Sequence, residues 1–167
     1  MCRAPVTPRG VLAFLLAAIE AATEIPAVAD VTRTLVKLIG AEDGDASEAS
    51  QCLAAIMLKA GPAALDELVA TVVQGALLPS ARADVVEGRE WMTMQSVVAV
   101  AWCARALCYR SHRDFMPVTT ALVGLVHGRD SQAPSGDVRV SMWAAGAVGI
   151  PLLDAPGVGI ASVVRAV

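Results

Sequence analysis

The stretch Trp91-Met92-Thr93-Met94-Gln95-Ser96-Val97-Val98-Ala99-Val100-Ala101-Trp102-Cys103-Ala104-Arg105-Ala106-Leu107-Cys108-Tyr109 decides the fold class. It is far longer than an ordinary strand, so its length favours a helix over a buried strand. It is apolar on nearly all faces, with Gln95, Ser96 and Arg105 as the polar exceptions. A helix that is hydrophobic all round belongs at the centre of a bundle. The sequence around it should then supply amphipathic helices that wrap it.

On the C-terminal side, Ser111-His112-Arg113-Asp114 forms a short polar break. A helix is expected over 115–126, a loop over 128–137, and a last helix over 138–153, interrupted near Pro151. The tail after Asp154 contains Pro156, Gly157 and Gly159 and has no clear helical signal. On the N-terminal side, a turn covers 80–88. Before it, Leu65, Leu68, Val69, Val72, Val73 and Leu77 mark a helix that opens at Pro62 and ends at Pro79. A third helix starts at Ser47, carries Leu53, Ile56 and Met57, and stops at Gly61-Pro62. The acidic, small-residue segment 41–47 reads as a loop. A second helix is capped by Asp30, carries Val31, Leu35, Leu38 and Ile39, and stops at Gly40. A first helix over 9–23 has Val11, Leu12, Leu15, Leu16 and Ile19 as its stripe. The valine runs at 97–100 and 158–164 also suit strands, but regular turn signals between strands are absent. The fold class expected is all-α, a single helical domain with no internal repeat.

Composition agrees. The chain has 167 residues, 56% of them hydrophobic and only 17% charged, so it can bury a sizeable core. Its mean hydropathy is +0.59. Thirteen Lys and Arg against 16 Asp and Glu give a net charge of −3, which argues against a basic nucleic-acid binder. A spanning helix needs about 18 uninterrupted apolar residues. Arg105, His127 and Asp154 cut the three best candidates. Arg3, Arg9, the run 11–19 and Ala27-Val28-Ala29 resemble a signal peptide, but Glu20 and Glu24 lie between run and site, so an uncleaved first helix is expected.

Chemistry is scarce. The four cysteines, at 2, 52, 103 and 108, form no CxxC, and with two histidines no zinc pattern assembles. They read as buried free thiols. Cys108, His112 and Asp114 are close in sequence, yet neighbours in one polar break seldom converge as a nucleophile set, so a solvated corner is expected. Glu87 and Glu90 suit a helix start. Asp43-Gly44-Asp45 lacks the rest of a calcium loop. No phosphate loop or nucleophile elbow occurs, and Asn is absent altogether. No enzyme, cofactor or metal is expected. Surplus apolar surface on a bundle points instead to a groove for a partner's amphipathic helix.

The entry into the central helix, Val85-Val86-Glu87-Gly88-Arg89-Glu90-Trp91-Met92-Thr93, resembles the BH1 region of the Bcl-2 family, whose pattern is Asp-Gly-x-Asn-Trp-Gly-Arg. Glu87-Gly88 matches Asp-Gly, Glu90 stands at the Asn, and Trp91 matches the Trp. Met92 and Thr93 replace the Gly and the Arg. Trp143, Gly149 and Ile150 are weakly similar to BH2, and Leu35 with Gly40-Ala41-Glu42 is a poor echo of BH3. The order of elements over 11–153 also matches, and the compactness and eroded motifs look like a viral homologue.

The resemblance implies a Bcl-2-like bundle around the helix at 91–109. It implies an apoptosis inhibitor in the host cytoplasm, mitochondria-associated through its partners, that sequesters BH3 helices of the Bim or Bak type. The implied groove, between helices two and five, is lined by Leu53, Ile56, Met57, Leu68, Val72, Val85, Arg89, Glu90, Thr93 and Met94. Gly88 and Trp91 are implied to be structural. In the family, the BH1 Arg pairs with the ligand's Asp. Thr93 cannot make that pair, and Arg89 is the candidate substitute. Losing a charged hydrogen bond costs about 1.5–3 kcal/mol, so narrow ligand choice or weaker binding is expected. A groove with few guarding charges also invites homodimers. Two other readings compete: a helical assembly protein without a ligand groove, and a membrane-active bundle whose apolar hairpin over 91–126 inserts into a bilayer.

Overall fold

The computed structural model describes residues 8–25, 28–42, 45–83, 87, 89–127 and 138–152. Among these there is no strand, and helices make up nearly all of the described backbone: an all-α bundle. In chain order they are α1 (Pro8–Ala21), α2 (Val28–Ile39), α3 (Ala46–Lys59), α4 (Pro62–Leu68), a π-helical stretch (Val69–Leu77), α5 (Leu78–Arg82), α6 (Glu90–Tyr109), α7 (Phe115–His127) and α8 (Val138–Leu152). The tail after Asp154, the Asp43-Gly44 pair, Cys2, Val85 and Gly88 lie outside the described residues.

The long apolar stretch is indeed the central helix. α6 packs against α3, α5, α7 and α8, with α2 and the π stretch touching it as well. Ala99, Ala101, Ala104 and Ala106 are buried along it, and such short side chains let neighbouring helices approach closely. It is not buried all round, however. Trp91, Met94, Gln95, Val98, Trp102, Arg105 and Tyr109 remain half-buried or exposed. At 3.6 residues per turn these positions fall on one stripe. Two of the three polar exceptions, Gln95 and Arg105, lie on it. The third, Ser96, is buried and donates its hydroxyl back to the Met92 carbonyl oxygen (2.9 Å).

Several boundaries differ from expectation for local reasons. Asp30 lies inside the first turn of α2 and does not cap it; there it binds Arg33 one turn on. α3 begins at Ala46, with Asp45 at the cap position. Pro79 does not end the fourth helix. The backbone runs through α4, the π stretch and α5 with right-handed helical torsions at each junction, such as φ −62° and ψ −48° at Val69. The Leu78 N–H still reaches back five residues to the Val73 carbonyl oxygen. Pro79 follows at the switch back to α pitch, where the bonding pattern is already interrupted and a missing N–H disturbs little.

Two cations tie helix ends together. Lys59 Nζ donates to the Glu20 and Ala22 carbonyl oxygens at 2.5 and 2.7 Å, and Arg110 donates to the Leu58 carbonyl oxygen at 2.7 Å. The last carbonyls of a helix have no partner within it, so a basic side chain there satisfies them and favours the dipole. These contacts fix α1 to α3, and α3 to the α6–α7 turn.

Candidate functional site

A surface groove of about 650 Å³ runs between α2 and the rod formed by α4 and the π stretch. Its construction follows from helical spacing. Val28, Thr32 and Val36 line one side low in the groove, and Ala64, Leu68, Val72 and Ala76 the other. Each set recurs every four residues, so each forms a continuous ridge. Thr32 adds no unsatisfied polarity, because its hydroxyl donates within its own helix to Val28 O at 2.8 Å. One residue further round each helix stand the exposed rims: Ala29, Arg33 and Lys37 on α2, Glu67 and Thr71 on the rod. The result is an apolar trough with a cationic edge and an edge carrying one carboxylate. The π stretch widens the turn spacing along one wall, an uncommon device often found at functional sites.

The groove residues inferred from the Bcl-2 resemblance do not all meet here. Leu68 and Val72 do. Leu53, Ile56 and Met57 have 0% exposure and belong to the core, where α3 faces α6, so they offer a ligand no surface. Arg89 and Thr93 come together in a separate cleft of about 170 Å³ with Gly40, Ser80, Ala83, Met92 and Ser96. There Thr93 is buried and Arg89 exposed. Met94 lies on the outer stripe of α6, and Glu90 is half-buried at its start. Trp91 is half-buried, and its indole Nε1 is buried without a hydrogen-bond partner, as is Gln95 Oε1 one turn on. Val85 and Gly88 lie outside the described residues. The sequence reading placed the groove between helices two and five but named no residue of α2 as lining it. The signal for that wall was present: Val28, Thr32 and Val36 recur every four residues beside 29, 33 and 37, two of which are basic.

The second cluster of chemical interest is the α6–α7 turn, where Ser111 and Arg113 are exposed as expected of a corner while His112 is drawn inward. The His112 ring is only 12% exposed. Its Nε2 lies 3.1 Å from Asp66 Oδ1 on α4, and its Nδ1 accepts the Asp114 backbone N–H at 3.2 Å. That arrangement places the ring proton on Nε2, donated to Asp66. Arg113 donates to the same Asp66 oxygen at 3.0 Å. Ser111, with φ 50°, turns the chain so that these side chains reach back to α4. Ligand atoms of Asp66, His112 and Asp114 lie within 4.8 Å of one another, a spacing that can hold a divalent ion. Asp66 Oδ1 meets both His112 and Arg113, and these contacts pin the turn to α4.

On the α6 stripe, the Arg105 guanidinium lies 5.3 Å from the Trp102 ring centre and 5.7 Å from that of Tyr109. This aromatic pair and Arg105 line a shallow cleft with Leu16, Glu20 and Leu58. Cys52 and Cys103 are buried free thiols, pushed up to about 11 and about 12 respectively, chiefly by loss of hydration. The half-buried Cys108 is raised for the same reason. All three are poor nucleophiles at neutral pH.

No described helix is long and apolar enough to cross a membrane. Compared with known proteins, the chain matches no protein-family model, no curated protein and no solved structure.

Proposed function

We propose that the protein is a helix-binding module whose groove between α2 and α4 accepts an amphipathic helix, and that it acts as a Bcl-2-like apoptosis inhibitor sequestering BH3 helices of the Bim or Bak type in the host cytoplasm. The groove itself carries the reading. It is an apolar trough of about 650 Å³ flanked by exposed polar rims on an otherwise well-packed bundle. A ligand helix laid along it would place residues at i, i+3/i+4 and i+7 against Val36, Ala64, Leu68 and Val72. The rod wall from Ala64 to Ala76 has room for such a pattern, which spans about 10 Å of helix. Arg89 and Thr93 stand in another cleft, so neither supplies the charge recognition that the resemblance assigns to BH1, and the cations on this groove's rim are Arg33 and Lys37 instead. Narrow ligand choice follows.

The test places Glu at Ala64, a half-buried wall position at the edge of the core that also lines the groove. Binding of a BH3 peptide should be lost in Ala64→Glu while the thermal transition stays near the wild type. Retained binding would move the site elsewhere. A second reading, a helical assembly protein, is favoured by α1, where Val11 and Phe14 are 51% and 77% exposed. Under that reading the mass rises with concentration and Phe14→Glu reverses it.

A further inference from the structure

Each rim of the groove carries one charge, of opposite sign to the other, that forms no ion pair among the described residues. On α2, Arg33 is held by Asp30 at 2.9 Å within its own helix. Lys37, one turn further, is exposed and has no ion-pair partner among the described residues, and Glu67 on the rod is in the same position. Lys37 and Glu67 line one groove from its two walls, yet they do not meet.

A helix lying in a trough has two flanks, and turning it end for end exchanges them. Opposite charges on the two rims therefore distinguish the two directions. Resting on the helix-binding reading above, we infer that the groove sets the direction of its ligand: it takes an amphipathic helix with acidic residues on one flank and basic residues on the other, the acidic flank against Lys37 and the basic flank against Glu67. A helix acidic on both flanks meets Glu67 as a like charge in either direction. A helix basic on both meets Lys37 in the same way. Rim charges of this kind act on encounter and register more than on total affinity.

The probe is a designed amphipathic peptide with leucines at helical spacing, glutamates on one flank, lysines on the other and a spin label at its N-terminus. NMR broadening of the protein's amides then reports which end of the groove holds that terminus. Wild type should bind it in one direction. Lys37→Glu or Glu67→Lys alone should weaken binding by about two- to fivefold and scramble the direction. The double variant Lys37→Glu/Glu67→Lys should regain affinity and move the broadening to the opposite end. Both rim positions are exposed, so these variants leave the core intact. Binding by wild type with a direction unchanged in the double variant would overturn the inference and leave the groove standing. Failure of the wild type to bind any such peptide would overturn both.

Discussion

Lys37 on α2 and Glu67 on α4 stand on opposite rims of one apolar groove and do not pair with each other. An intramolecular ion pair between them would bridge the trough. Their separation leaves it open, and both charges remain in water, where leaving them unpaired costs little.

Rim and core should separate cleanly in stability measurements. Lys37→Ala is expected to change the unfolding free energy by less than about 0.5 kcal/mol. Leu53→Ala, at a site with 0% exposure, should cost about 2–5 kcal/mol. Urea denaturation of the two variants checks both. A small effect at Leu53 would contradict its placement between α3 and α6.

Two glycines should respond differently to the same substitution. In a helix interior, Gly→Ala normally stabilises by about 1 kcal/mol. At Gly146 on α8 an added Cβ meets nothing within 4 Å, so Gly146→Ala should raise the melting temperature. At Gly75 in the π stretch the new Cβ would lie 3.1 Å from the Ala70 carbonyl oxygen. Gly75→Ala should therefore fail to stabilise, and should shift amide signals along the groove wall. Equal gains at both sites would argue against the π geometry.

The buried thiols predict alkaline behaviour. With thiols raised from 9.0 to about 11 at Cys52 and about 12 at Cys103, the native state keeps protons that the unfolded chain gives up. Their contribution to stability is complete below about pH 9 and is lost as the pH rises toward 11 and 12. Stability should decline above pH 9, and less steeply in Cys103→Ala than in the wild type. Thiol reagents at neutral pH should leave Cys52 and Cys103 unmodified until denaturant is added.

The pinned turn predicts coupling between distant residues. Asp66 and His112 are 46 positions apart and 3.1 Å from contact atom to contact atom. A double-mutant cycle of Asp66→Ala and His112→Ala should give a coupling of about 0.5–1 kcal/mol. Strict additivity would mean that the contact does not persist in solution.

The fold class was legible because one segment, 91–109, is too long and too uniformly apolar for anything but a central helix, and Gly and Pro punctuate its neighbours. Pro79 misled because a proline reads as a stop only when the helix around it has regular α bonding, and here it coincides with a change of pitch. The groove was half legible. Leu68 and Val72 are apolar at helical spacing, and so are Leu53, Ile56 and Met57. Periodicity shows which residues share a face, not whether that face meets another helix or open space. Asp66 with His112 was invisible for a related reason: nothing local in a polar break says which distant helix it will touch.

The proposed binding of an amphipathic helix between α2 and α4 is open to titration calorimetry of the intact chain against a panel of BH3 peptides, with Ala64→Glu as control. Saturable binding of one or a few peptides with a submicromolar Kd, about −8 kcal/mol or better, is expected, and Ala64→Glu should abolish it. Absence of saturable heat from every peptide, with the protein folded and monomeric, would contradict it.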